Sequence, residues 1–202
     1  MRISTLAFSA VLVGLAAPAG AVTLLGFDTA RPTAPQHIEA GAGLVALDGA
    51  YGVFAQGRIG LLPELEGRLA AGLILLDADF GFEVDIGGKF RLLPAEAAGV
   101  DIAAGAQVAF TKTADVFLGG IDPMAYASRH FALPGDRELF VGISVGAALT
   151  AIDYDGPTDD TAFGFVGGLT AGVDIVEDLA FALETRWRDG VWRLGGMVAL
   201  DF

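Results

Sequence analysis

The chain has 202 residues, no cysteine and a formal net charge of −13. The missing cysteine excludes disulfides and thiolate metal centres, and the acid excess excludes a binder of phosphate backbones, so nucleic acid is not an expected partner. Hydrophobic residues make up 53% of the chain, yet no uninterrupted apolar stretch long enough to span a membrane as a helix follows residue 21. Backbone polar groups in hydrocarbon must be paired, so such a chain can enter a membrane only as a closed barrel.

Met1-Arg2 gives a positive start, Ile3 to Ala17 is apolar apart from Ser4, Thr5 and Ser9, and Ala19-Gly20-Ala21 offers a small-residue cleavage site. Residues 1–21 are therefore expected to be a secretory signal peptide and are set aside from the fold. Residues 22–36, with Arg31-Pro32-Thr33-Ala34-Pro35, read as an irregular lead-in; Val22 to Phe27 could pair as an extra strand or tuck into a lumen. The barrel is predicted over residues 37–202.

Ten segments of alternating polarity follow, as strands with successive side chains on opposite faces require. They are His37–Leu47, Tyr51–Leu61, Leu65–Leu76, Phe80–Leu92, Val100–Thr111, Met124–Leu133, Leu139–Ile152, Phe163–Ile175, Leu179–Asp189 and a last one opening near Trp192. The fourth is the clearest: Phe80, Phe82, Val84, Ile86, Phe90 and Leu92 oppose Gly81, Glu83, Asp85, Gly87, Lys89 and Arg91. The sixth alternates poorly, which leaves eight strands as the alternative count. Asp48-Gly49 and Asp189-Gly190 are tight hairpin signals. The gaps at Leu62-Pro63-Glu64-Leu65, Pro94-Ala95-Glu96, Pro134-Gly135-Asp136 and Glu177-Asp178 are short, whereas Lys112 to Asp122 and Asp153 to Thr161 are long. Short gaps suit the periplasmic side of a barrel and long ones the outside.

The small or polar face carries nearly balanced charge. Glu39, Glu66, Glu83, Asp85, Asp101, Asp174, Glu184 and Asp201 stand against Arg58, Arg68, Lys89, Arg91, Arg129, Arg186, Arg188 and Arg193. Such pairing suits a narrow lumen, because an unpaired buried charge is costly. Aromatic residues collect at strand ends on the apolar face, as two interfacial girdles would require. Tyr51, Phe80, Phe110, Phe163, Trp187 and Trp192 lie toward the outside; Phe90, Phe181 and Phe202 lie toward the periplasm, with Phe140 fitting less well. Remaining acids, including Asp48, Asp77, Asp79, Asp115, Asp122, Asp153, Asp155, Asp159 and Asp160, fall in the outer loops against Lys112, giving a negative rim that favours cations.

Chemistry-bearing motifs are sparse. Asp153, Asp155, Asp159 and Asp160 could offer oxygen ligands to calcium, but Gly164 stands where a calcium loop needs its last carboxylate, and a solvated loop is the simpler reading. Gly119-Gly120 and Gly167-Gly168 lack the context of phosphate loops. Of two histidines, His37 begins the first strand and His130 shares a strand face with Ser128. That spacing admits a membrane-embedded lipid hydrolase using His130, although an interfacial histidine is simpler. No cofactor and no enzymatic activity are expected.

The chain closes on Trp192-Arg-Leu-Gly-Gly-Met-Val-Ala-Leu-Asp-Phe202. Trp192, Leu194, Val198, Leu200 and Phe202 share one face; Arg193, Met197, Ala199 and Asp201 share the other. This resembles the closing strand of the bacterial outer-membrane β-barrel class. The resemblance implies an all-β, transmembrane, antiparallel up-and-down barrel in the outer membrane of a Gram-negative bacterium. It also implies contact with outer-membrane lipid and recognition by the barrel-assembly machinery through the C-terminal strand. A barrel of this size is filled by its own side chains, so the expected role is structural, or a narrow, weakly cation-conducting path. The alternative from another class is a secreted soluble barrel, its apolar face lining a ligand cavity.

Overall fold

The computed structural model describes residues 28–202 apart from 48–49, 77–79, 114–115, 136, 155–159, 177 and 189. The expected signal peptide and Val22 to Phe27 lie outside the described residues.

Alternation along the chain becomes ten strands: β1 (Ile38–Leu47), β2 (Ala50–Leu62), β3 (Leu65–Leu76), β4 (Phe80–Leu93), β5 (Asp101–Lys112), β6 (Val116–Leu133), β7 (Arg137–Tyr154), β8 (Asp160–Val176), β9 (Leu179–Arg188) and β10 (Val191–Asp201). Each pairs antiparallel with the next, and β1 pairs with β10 from Glu39 opposite Asp201 to Ala46 opposite Leu194, which closes the barrel. Closure leaves no free edge, so every strand is hydrogen-bonded on both sides. The hairpins after β2, β4, β6 and β8 lie at the end where β1 starts and β10 stops, here called the terminal end. The other end is called distal.

The two faces separate cleanly. On β4, Phe82 and Ile86 are 48% and 55% exposed, while Glu83 and Asp85 between them are fully buried. A closed barrel has only two surfaces, so buried side chains fill the cylinder and apolar ones cover its outside. The arrangement is the reverse of a soluble barrel with an apolar cavity, and that alternative is set aside.

Strand boundaries agree with the sequence reading to within three residues except at β6. This strand starts at Val116, eight residues before the expected Met124, so the supposed long outer gap from Lys112 to Asp122 is mostly strand. Two features hide it. Pro123 reads as a breaker because it has no N–H to donate; the ladder to β7 lapses at Asp122 and Pro123 and resumes in the same register at Met124 opposite Gly146. A Cβ on Gly146 would lie 2.2 Å from the Pro123 carbonyl oxygen, so only glycine fits there. In addition, the inward residues Leu118, Met124 and Tyr126 are apolar, so polarity no longer distinguishes the faces. β7 and β8 likewise extend to Tyr154 and Asp160, which shortens the second outer gap. The Pro94-Ala95-Glu96 gap holds one helical turn, Ala95–Ala98, ended by Gly99 at φ 75°.

Candidate functional site: the interior of the barrel

Period-two alternation places polar residues of all ten strands in one cylinder, and their pairing can be followed from the terminal end inward. There the chain entering β1 does not run past the barrel but folds into it. Ala30 donates its N–H to Ser128 Oγ at 2.9 Å, and Thr33 donates both N–H and hydroxyl to Glu66 Oε2 at 2.7 and 2.9 Å. Gln36 donates its N–H to the Gly60 carbonyl at 2.9 Å and carries a positive φ of 69° as the chain turns into β1. Gly60 is required by this passage: a Cβ there would sit 2.0 Å from the Ala34 carbonyl oxygen.

Asp28, the first described residue of this lead-in, is buried. Its carboxylate is paired with Arg68 of β3 and lies 3.4 Å from Lys89 of β4. Lys89 also reaches Glu66 at 3.1 Å. Arg68 continues the chain of contacts by donating to the Gln107 side-chain oxygen, and Gln107 donates to Asp122 at 3.2 Å. Asp122 accepts from Arg188 Nη1 at 2.9 Å, and Arg188 Nη2 donates to Thr150 at 2.7 Å. Thr111 donates to Glu83 at 2.8 Å, and Arg186 Nε lies 2.9 Å from Glu184. Asp85 is fully buried on β4, within electrostatic reach of Arg68, Arg186, Arg193 and Asp122.

The sequence-selected charges can now be placed. Arg58, Glu66, Arg68, Glu83, Asp85, Lys89, Asp101, Glu184, Arg186, Arg188 and Arg193 are buried in the cylinder. Glu39 pairs with Arg58 near the terminal rim, Arg91 lies 3.8 Å from Asp101, and Asp201 lies at the rim 3.5 Å from His37. Arg129 does not join them. It points outward and stacks over the Phe131 ring at 5.2 Å, because the inward register of β6 falls on the even-numbered residues. Asp122, read from sequence as an outer-loop acid, takes an inward position instead and is 1% exposed.

Tyr51, Phe80, Phe90, Phe110, Phe163, Phe181, Trp192 and Phe202 are exposed on the outside, and Trp187 is half-buried beside Trp192. Phe140 faces inward against His130, with ring centroids 5.7 Å apart, so it does not belong to a girdle. Of the calcium candidates, Asp155 and Asp159 lie outside the described residues, as does the Asp160 side chain; Asp153 is an exposed residue of β7. The Ser128 hydroxyl anchors the lead-in, and His130 Nδ1 lies 3.0 Å from Glu138 Oε2.

A mid-barrel cavity bounded by Asp28, Arg68, Lys89 and Tyr126 measures about 10 Å³, room for about one water. Beyond the charged layers, toward the distal end, Leu47, Ala50 and Ile74 pack together on one wall and Val116, Leu118 and Ile152 on another. The lead-in contacts and Asp122 escaped sequence reasoning. The proline-bounded irregularity of residues 31–35, and the option that Val22 to Phe27 tuck into a lumen, hinted at the former without naming its partners.

No protein-family model matches the sequence, and no curated protein matches it. Among solved structures, the chain is similar to the N-terminal β-barrel domain of Pseudomonas aeruginosa OprF, with a TM-score of 0.43 and 14% identity over 83% of this chain and 98% of that one. It is similar to Neisserial surface protein A, with a TM-score of 0.41 and 13% identity over 82% and 95% of the two chains. It is also similar to the KdgM porin, with a TM-score of 0.39 and 9% identity over 81% and 99%. These similarities concern the fold.

Proposed function

We propose that the protein is an integral β-barrel of a Gram-negative outer membrane, non-enzymatic, whose interior is sealed and whose role is structural, with at most a weak leak of cations. The terminal end then faces the periplasm and the acidic distal loops face outward. The observation that carries the reading is the combination of an apolar exterior with an interior where Arg68, Lys89, Glu66, Gln107, Asp122 and Arg188 are tied into one polar chain around Asp28. Hydrocarbon outside accepts the apolar side chains at no cost, while the buried charges neutralise one another. β10, with Phe202 next to it, is the segment we assign to recognition by the barrel-assembly machinery.

Two measurements test this reading. Membrane fractions should retain the protein through carbonate extraction, and its gel mobility should change on heating; release into the aqueous fraction would refute membrane integration. In planar bilayers the purified protein should give no steady conductance steps. Large porin-like steps would refute the sealed interior.

A further inference from the structure

Toward the terminal end, the outer wall of the barrel is almost free of charge. Among the described strand residues that face outward there, two are charged, and both are arginines: Arg129 of β6 and Arg137 of β7. They stand on one hairpin, Arg129 opposite Val141 and Arg137 opposite Leu133, with the paired Phe131 and Leu139 between them. Both are exposed, and among the described residues neither forms an ion pair. Arg129 lies over the Phe131 ring at 5.2 Å, and Arg137 donates its Nε–H to the Pro134 carbonyl at 3.2 Å. Glu138, next to Arg137, turns inward and is held by Arg31 and His130. Asp136 of the turn lies outside the described residues; set against one arginine, it leaves the other unmatched.

The contact with Phe131 sets where the charge sits. β6 runs toward the terminal end, so Phe131 is nearer the rim than Arg129, and the Arg129 side chain leans along the wall toward that rim. Long basic side chains on an apolar wall snorkel in this way to reach headgroups. A guanidinium over a ring keeps its in-plane N–H donors for an anion, and the planar fork matches a phosphate. A second, independent feature lies on the distal side of Arg129. One row of the ladder across β4 to β7 reads Phe90, Ala104, Ala125 and Val145, and the next reads Gly88, Ala106 and Pro123 on β4 to β6. Ala127 joins this lane to Arg129. The wall here is a shallow trough two strands wide, floored by alanine and bordered by Phe90 and Val145. It is shaped for a hydrocarbon chain that starts at the arginines and runs toward mid-barrel.

We propose that the outer face of the β6–β7 hairpin binds an anionic phospholipid of the leaflet at the terminal end, its phosphate between Arg129 and Arg137 and an acyl chain in the alanine trough. The site rests on the hydrocarbon-facing exterior proposed above. Net charge sets the preference: a zwitterionic headgroup brings its own cation against two guanidiniums, whereas an anionic one does not.

The chain has two tryptophans, Trp187 and Trp192, both toward the distal end. Changing both to Phe and adding Val141→Trp leaves one fluorescent reporter on an exposed position opposite Arg129. The protein is folded into mixed vesicles of phosphatidylcholine and phosphatidylglycerol, and quenching by the chain-brominated form of each lipid gives their relative affinity at the reporter. Phosphatidylglycerol should be preferred about fivefold, as one guanidinium at an anionic surface would give, and added salt should shrink the preference. Arg129→Gln should bring the ratio close to one, and Arg137→Gln should lower it by less, with heat-modifiable mobility verifying that both variants fold. Trp192 as the sole reporter, in Trp187→Phe, should show no preference. Equal quenching by the two lipids at Val141→Trp, an equal preference at Trp192, or a ratio unchanged in both arginine variants would overturn the proposal and leave membrane integration standing. Quenching by neither lipid would overturn membrane integration itself, and the site with it.

Discussion

At the distal end, among the described residues, the barrel interior carries apolar strand side chains: Leu47, Ala50 and Ile74 on one wall, Val116, Leu118 and Ile152 on another. At the terminal end the same strands leave a gap that residues 28–36 occupy, held through Asp28, Ala30, Thr33 and Gln36. The distal filling is non-directional and hostile to water. The terminal filling consists of a separate strap held by polar contacts of defined geometry. An apolar constriction excludes ions because hydrating it is unfavourable, whereas a polar strap can be exchanged for water bond by bond. The two fillings should therefore fail independently, which gives the comparison its experimental handles.

The largest effect is expected where the strap meets the mid-barrel charges. Arg68→Ala leaves Asp28 buried without its guanidinium and Gln107 without its donor, and should destabilise the protein by about 3–5 kcal/mol. Urea unfolding in lipid vesicles measures this; a loss below about 1 kcal/mol, the level of an exposed pair, would mean that strap and barrel are not coupled.

Ile74→Ala, at a position 1% exposed, opens a void in the distal filling, and a cost of about 2–4 kcal/mol is expected. The strap amides should keep their protection from hydrogen exchange in this variant. Gly60→Ala should do the converse, because the new Cβ collides with the Ala34 carbonyl. The amides of Ala30, Thr33 and Gln36 should exchange faster while the distal strand amides stay protected. Uniform loss of protection in either variant would show that the two fillings are one unit. Ser128→Ala is expected to have the smallest effect, about 1 kcal/mol, by orphaning the Ala30 N–H. Its signature is faster exchange at Ala30, with little effect at Gln36.

How much of this could be read from the sequence depended on which residues line the interior. On β4, Glu83, Asp85 and Lys89 alternate with Phe82, Ile86 and Phe90, and both the strand and its faces are evident from polarity alone. On β6, Leu118, Met124 and Tyr126 face inward while Pro123 and Arg129 face outward, so polarity gave the wrong limits and the wrong side for Arg129. Asp122 was misplaced for the same reason. The strap was illegible on other grounds: residues 28–36 have no period, and their bonds to Glu66, Arg68 and Ser128 join positions far apart in the chain. A single sequence encodes alternation locally but says nothing of which distant partner satisfies an irregular segment.

The orientation of the two faces is tested most directly on β4. The chain lacks cysteine, so single cysteines at Phe82, Val84 and Ile86 can each carry a nitroxide label in reconstituted vesicles. All three labels are expected to collide with oxygen dissolved in the lipid and to be shielded from a water-soluble paramagnetic complex. Labels reached by the aqueous complex and not by lipid-dissolved oxygen would contradict an exterior that faces hydrocarbon.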